Sequence, residues 1–207
     1  KNVSDPKLFG QAIWAYAESK GARFLKASVK SAHAENGGAV VRLDDGSEIA
    51  ASHLVLMAGA WSKKLAKGFG DVVPLDTERG YNTTLPVDSF DVKRQLTFPG
   101  HGFVVTPMAT GLRVGGAVEF GGLELAPNYA RSAAMLKKAS QFLPGLKTES
   151  GRQWMGYRPS MPDSMPVIGR ASAGGNIYYG FGHGHLGLTQ SAATARIIRD
   201  LITGNAL

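Results

Sequence analysis

The 207-residue sequence predicts an α+β fold. Three observations carry that prediction. The chain opens on a helix pattern followed by strand and hairpin patterns. From about Val72 it changes to short strands separated by glycine-rich turns, as in an antiparallel sheet. It closes on a strand, a glycine-rich loop and a helix, so it leaves an α/β layer and returns to one.

Asp5-Pro6 starts the first helix, a capping side chain followed by proline at a position whose N–H would be unpaired anyway. Leu8, Ala12, Ile13 and Tyr16 fall on one face, expected to be buried, and Gly21 ends the helix. Residues 23–30 read as a strand. Residues 40–43, the turn Asp44-Asp45-Gly46 and residues 48–50 read as a hairpin. Residues 53–57 show no alternation, as expected for a strand buried on both faces. Residues 96–98, 103–108 and 112–118 are the strands of the middle sheet. Tyr129, Ala133, Leu136, Ser140 and Leu143 trace a helix face stopped by Pro144-Gly145. Residues 176–181 form another strand. The last helix spans 188–203, with Leu188, Ala192, Ala195, Ile198 and Ile202 expected inward and Gly204 beyond it. There is no internal repeat and no low-complexity linker.

Composition excludes several classes. Hydrophobic residues make up 43% and charged residues 19%, a globular balance. No run approaches the roughly 20 apolar residues that span a bilayer. With no cysteine, disulfides, thiolate metal ligands and a cysteine nucleophile are excluded, and a reducing compartment such as the cytoplasm fits. The opening from Lys1 shows no apolar signal-peptide core, as a mature chain or a trimmed fragment would. The net charge is +7, but Lys and Arg are scattered, with doublets only at Lys63-Lys64, Lys93-Arg94 and Lys137-Lys138. No nucleic-acid motif accompanies them, so a solvated basic surface is expected and nucleic-acid binding is not.

Two segments carry chemistry. Gly182-His183-Gly184-His185-Leu186-Gly187 matches G-x-G-x-x-G between a strand and a helix. A dinucleotide fingerprint also needs a following parallel strand with an acidic residue about 20 positions on, and none follows. The glycines still let backbone approach a ligand, and the helix behind them offers N–H groups and partial positive charge. A turn built only for close packing is the alternative. His183 and His185 lack a third ligand nearby in sequence, so no metal is expected. The second segment runs from Gly156-Tyr157-Arg158-Pro159 through Met161-Pro162-Asp163 to Pro166-Val167-Ile168-Gly169. Its prolines fix an extended path. An arginine held on such a path can meet a carboxylate with its planar fork, or serve structure by pairing internally.

These segments together resemble the D-amino-acid oxidase/dehydrogenase superfamily. Gly156-Tyr157-Arg158-Pro159-Ser160-Met161-Pro162-Asp163 with Pro166-Val167-Ile168-Gly169 is similar to its G-x-R-P-x-x-P-D…P-x-I-G signature. The run from Gly182 to Thr189 resembles its last flavin-contacting loop. Ala58-Gly59-Ala60-Trp61-Ser62 is similar to its A-G-A-W-S segment beside the flavin, and Glu78-Arg79-Gly80-Tyr81 to the R/K-G-Y at its entry into the substrate domain.

The resemblance implies FAD as cofactor, contacted by Ala58, Gly59, Trp61, Gly156, Gly182, His183, Gly184, His185, Leu186, Gly187, Leu188 and Thr189. It implies Arg158 as the catalytic anchor for a substrate carboxylate, with Tyr81 as a pocket residue or, alternatively, a packed aromatic. Residues 1–71 would belong to an FAD-binding domain, 72–154 to a substrate-binding domain with an antiparallel sheet, and 155–207 to the FAD-binding domain again. The sarcosine oxidase branch attaches its flavin through a cysteine just before the signature; Met155-Gly156-Tyr157 stands there instead, which implies non-covalent FAD. The family's N-terminal dinucleotide unit is not in this sequence. The missing N-terminal half is therefore an expected partner, and the piece alone is expected to be inactive.

The implied activity is oxidative deamination of D-amino acids by a dehydrogenase that passes electrons to a quinone or similar acceptor. The expected location is the cytoplasm, at most peripheral on the inner membrane. Glycine or sarcosine oxidase, D-hydroxyproline dehydrogenase and a non-catalytic flavoprotein fragment stay open beside it.

Overall fold

The computed structural model describes residues 5–205; the reading of the opening at Lys1 and the outermost limits of the expected domains lie outside them. Helix α1 (Pro6–Ser19) starts where proline and its cap dictate. Asp5 Oδ1 accepts from the N–H of Lys7 at 2.8 Å and of Leu8 at 3.3 Å. Its other oxygen accepts from the Thr110 hydroxyl at 3.0 Å. The expected burial of the apolar face does not occur: no residue of α1 is buried, and Leu8, Ile13 and Tyr16 are exposed. The helix is tied down through its cap rather than through its stripe.

The chain forms two compact units. One holds α1, through Arg23, together with Arg79–Gly156; the other holds Phe24–Glu78 and Tyr157–Leu207. The chain thus changes unit after residues 78 and 156, where the sequence suggested 71 and 154. Helix α1 goes with the middle sheet rather than with the segment that follows it.

In the first unit lies most of a five-stranded sheet, ordered β6-β7-β8-β5-β9: β5 (Asp76–Leu85), β6 (Leu96–Phe98), β7 (Phe103–Met108), β8 (Gly111–Phe120) and β9 (Arg152–Ser160). The three expected strands pair antiparallel, with Phe98 opposite Phe103 and Val105 opposite Val114. Strand β5 escapes a hydrophobicity reading because its buried positions include Thr77, Arg79, Asn82 and Thr83 as well as Tyr81 and Leu85. Helix α3 (Ala130–Phe142) packs on β7 and β8, burying Met135 and Ala139. Phe98 stacks on Phe103 at 4.4 Å, and Phe142 packs against both rings.

The second unit contains two three-stranded sheets. In one, β1 (Val29–Glu35), β2 (Gly38–Leu43) and β3 (Glu48–Ala51) pair antiparallel in order. Residues 23–28 are not strand, against expectation. The ladder runs from Glu35 opposite Gly38 back to Val29 opposite Leu43, where β2 ends in its turn, so earlier residues find no partner strand. In the other sheet, β11 (Ile177–Phe181) lies between β10 (Val167–Arg170) and β4 (Leu54–Leu56), antiparallel to the first and parallel to the second.

Strand β4 is therefore a short edge, with Leu54 and Val55 half-buried and Met57 exposed, instead of a strand covered on both faces. The short helix α2 (Ser62–Lys67) packs beside it. Helix α4 (Gly187–Thr203) packs on β10 and β11 and buries Thr194, Ile198 and Asp200. Leu188, Ala192 and Ala195, expected inward, are exposed because the helix meets the sheet along a narrower stripe. Leu56, Ala66, Phe69, Leu75, Ile177 and Phe181 belong to the core of this unit. Among the described residues no helix is long and apolar enough to cross a membrane.

Candidate functional site

The second unit builds its site where β11 ends. All five residues of β11 are buried, so the chain must turn sharply to leave the core. Gly182 at φ +85° and Gly184 at φ +53° make that turn in the left-handed region. A side chain at Gly182 would also come within 3.0 Å of Met161 Cγ. Two contacts pin the loop to β9: the Gly184 N–H donates to the Pro159 carbonyl at 2.7 Å, and Ser160 forms a β-bridge with His183. His183 Nε2 lies 2.9 Å from the Thr194 hydroxyl inside α4. Burial lowers the His183 pKa below the usual histidine value, which keeps the ring neutral at neutral pH. His185, Leu186, Leu188 and Thr189 face outward, and no side chain caps the N-terminus of α4. Its first-turn N–H groups and partial positive charge are thus free of a capping side chain.

Arg158 stands on β9 next to the residue that holds this loop. Its guanidinium is half-buried, and burial lowers its pKa while the charge of Glu78 raises it. Nη1 of Arg158 is sealed from solvent without a hydrogen-bond partner, as are Ser160 Oγ and Gln190 Oε1 in the first turn of α4. Unsatisfied buried groups each cost about 1–3 kcal/mol, and a bound ligand is one way in which such partners are supplied. Glu78 Oε2 lies 3.7 Å from Nδ1 of His185.

Ala58 and Gly59 open a 3-10 turn that leads into α2, with Gly59 at φ +56°. Trp61 at its end is exposed, and its ring meets Tyr157 edge-on at 5.4 Å. Ser62 behind it is fully buried, its hydroxyl also without a partner. The second unit therefore brings together Arg158, the Gly182–Thr189 run and Trp61 with Tyr157, each within its own local framework. Gly156 belongs to the first unit, where the ring of Trp154 lies so close that an added Cβ would fall 2.2 Å from it.

Tyr81 is placed in the interior of the first unit, 1% exposed. Its hydroxyl donates to Glu119 and accepts from the Asn128 N–H and from Nη2 of Arg79. With its hydroxyl so engaged, it offers a substrate no surface in this structure. Sequence reasoning also missed Glu78, Ser160, Gln190 and Thr194. Glu78 had one signal, its place just before Arg79-Gly80-Tyr81; the other three are ordinary polar residues whose relevance only the fold reveals. Among the described residues no three histidine, aspartate or glutamate side chains converge as a metal site would require.

The residues of the second unit fit a flavin ring. The left-handed Gly59 has open space beside its backbone, and the Gly182 and Gly184 turn exposes main-chain groups at the end of β11. Orphaned donors and acceptors match the heteroatoms of the ring, and an uncapped helix end suits an electron-rich edge. Comparison with known proteins agrees with that chemistry. A family model described as FAD dependent oxidoreductase matches residues 1–201. The D-amino-acid oxidase of Bradyrhizobium diazoefficiens is 35% identical over 204 residues, covering 97% of this chain and 48% of that protein. A D-amino acid dehydrogenase of Paramagnetospirillum magneticum is 31% identical, with the same coverage. The chain spans about half the length of these relatives. The crystal structure of glycine oxidase from Geobacillus kaustophilus superimposes with a TM-score of 0.84 at 19% identity, over all of this chain and 56% of that one. L-proline dehydrogenase from P. horikoshii superimposes with a TM-score of 0.76 at 23% identity, over 98% of this chain and 56% of that one. The fold and the family match over nearly its whole length agree: the chain belongs to the FAD-dependent oxidoreductase family.

Proposed function

We propose that this chain is the C-terminal part of an enzyme that oxidatively deaminates D-amino acids with non-covalently held FAD. The observation that carries the reading is the half-buried Arg158 guanidinium, whose Nη1 is shielded from water and unpaired. A planar fork in that condition gains most by meeting a carboxylate bidentately, and every α-amino acid brings one. The curated relatives named for D-amino acids support the configuration of the substrate.

In this reading Arg158 holds the substrate carboxylate and so fixes the direction of the Cα–H bond. The loop Gly182–Gly187, Trp61 and the first turn of α4 would hold the flavin ring. Bound there, FAD would supply the two-electron oxidising power for loss of the Cα hydrogen that Arg158 orients. The amine lone pair assists that departure, and water hydrolyses the product imine to a keto acid and ammonia. No strong general base is needed, so the protein contributes positioning and electrostatics. A sequence without cysteine has no thiolate to tether the flavin and suits a cytoplasmic setting, and the N-terminal half present in the relatives would complete the cofactor site. Electrons would leave for a quinone or similar acceptor.

The test uses the complete FAD-loaded protein under anaerobic conditions. D-alanine is expected to bleach the flavin absorbance, and L-alanine is not. Bleaching by the L form alone, or by neither, overturns the reading.

A further inference from the structure

Strand β5 carries a carboxylate into the surroundings of Arg158. The Glu78 side chain is 23% exposed, and its Oε2 stands 3.7 Å from Nδ1 of His185. That separation is beyond hydrogen-bond range, so the histidine neighbours the carboxylate without capping it. His185 follows Gly184, whose N–H donates to the carbonyl of Pro159, the residue after Arg158. Strands β5 and β9, which carry Glu78 and Arg158, are hydrogen-bonded neighbours in the five-stranded sheet, and the negative charge of Glu78 acts on the guanidinium across that seam. Since Nη1 of Arg158 keeps no hydrogen-bond partner, the carboxylate has not consumed that arm of the fork. All of these residues belong to one unit.

We infer that Glu78 is a specificity-determining residue, an anionic pole beside Arg158 that favours substrates with a cationic group near the bound carboxylate and turns away a second carboxylate. The inference rests on the reading of Arg158 as the carboxylate anchor. A lone buried arginine would draw a dicarboxylate at least as strongly as a monocarboxylate. A fixed negative charge in a partly dehydrated site reverses that order, because Coulomb interactions there are screened far less than in water. The same charge attracts an ammonium group or a basic side chain, so neutral and basic amino acids are the substrate class and dicarboxylic ones are excluded.

The experiment uses the complete FAD-loaded enzyme and two readouts. The first is the affinity of acetate and of malonate, followed through the flavin absorbance without turnover. The second is kcat/KM for D-lysine and for D-aspartate. Glu78→Gln is expected to shift both the malonate-to-acetate affinity ratio and the D-aspartate-to-D-lysine ratio upward by about tenfold or more, the latter mainly through KM. Glu78→Asp, which restores the charge, is expected to recover most of the original selectivity. Ratios in Glu78→Gln that stay within about twofold of the starting protein, while Arg158→Ala abolishes acetate binding, overturn the inference alone. Acetate binding that survives Arg158→Ala overturns the anchor reading and the inference with it.

Discussion

The phenol of Tyr81 donates a 2.5 Å hydrogen bond to Oε2 of Glu119, inside the first unit. Arg79 Nε lies 3.3 Å from the same oxygen, and Arg131 Nε donates to Oε1 at 3.0 Å. Arg79, fully buried, also donates to the carbonyls of Gly121 and Ala126. The network therefore ties β5 and β8 to the segment that leads into α3.

This network sets an acid limit. The bond from Tyr81 is the largest cause holding the Glu119 pKa below its usual value of 4.5, helped by Arg131 and Arg79 and opposed by burial. A depressed carboxylate contributes stability that is present above its ordinary pKa and lost as pH falls through the folded one. Stability is thus expected to decline below 4.5, and the acid-unfolding midpoint of Tyr81→Phe to lie at higher pH than that of the unmodified protein. Circular dichroism against pH checks this; coincident midpoints would refute the role of the bond.

Arg158→Lys is expected to be nearly as damaging as Arg158→Ala, since both lose the bidentate fork. Charged hydrogen bonds are worth about 1.5–3 kcal/mol each, which corresponds to a loss in kcat/KM on the order of 10- to 1000-fold. The matching decarboxylated amine should lose little. Normal turnover of the amino acid in Arg158→Ala would make the residue structural.

Gly182→Ala places a Cβ at a φ of +85° and 3.0 Å from Met161 Cγ. A left-handed alanine costs roughly 1–2 kcal/mol, and the Met161 contact adds to it. The urea midpoint of the flavin-free protein is expected to fall accordingly, and flavin affinity by about tenfold. An unchanged midpoint would show that the loop relaxes without strain.

The buried His183 ring bears on the choice of electron acceptor. Burial keeps that ring neutral at neutral pH, so it supplies no positive charge to stabilise superoxide. The reduced complete enzyme is expected to pass electrons to a quinone or dye at least about tenfold faster than to oxygen. Stopped-flow reoxidation with each acceptor measures this, and comparable rates would favour an oxidase.

Much of this was legible in the residues, and what was not has a physical cause. Turn chemistry carried the helix starting at Pro6, the hairpin at Asp44-Asp45-Gly46 and the glycine loop at Gly182, because each depends on local backbone preferences. Strand β5 was not legible, since Arg79, Asn82 and Thr83 are buried there and hydropathy cannot see a polar interior. Burial of α1 was misread for the opposite reason: its apolar stripe is real, but a sequence pattern does not say which layer covers it. At the candidate site, the extended path that carries Arg158 and the glycine turn after β11 were readable from proline and glycine chemistry. Glu78 was not readable as a neighbour of His185, because 107 positions of chain separate them (185 − 78).

The order in which the second unit comes together follows from the pairing of β4 with β11. Leu54–Leu56 are made before their parallel partner, Ile177–Phe181, which emerges only after Arg79–Gly156 of the first unit have been synthesised. The hairpin strands β1 to β3 pair with one another and can assemble from nearby residues. The central sheet of that unit must instead close a very long loop, and such non-local pairing is slow. On the ribosome the glycine loop and α4 therefore find their places after the hairpin strands β1 to β3. Until they do, the edge at β4 and the apolar residues destined for β11 stand uncovered, which opens this stage of synthesis to aggregation.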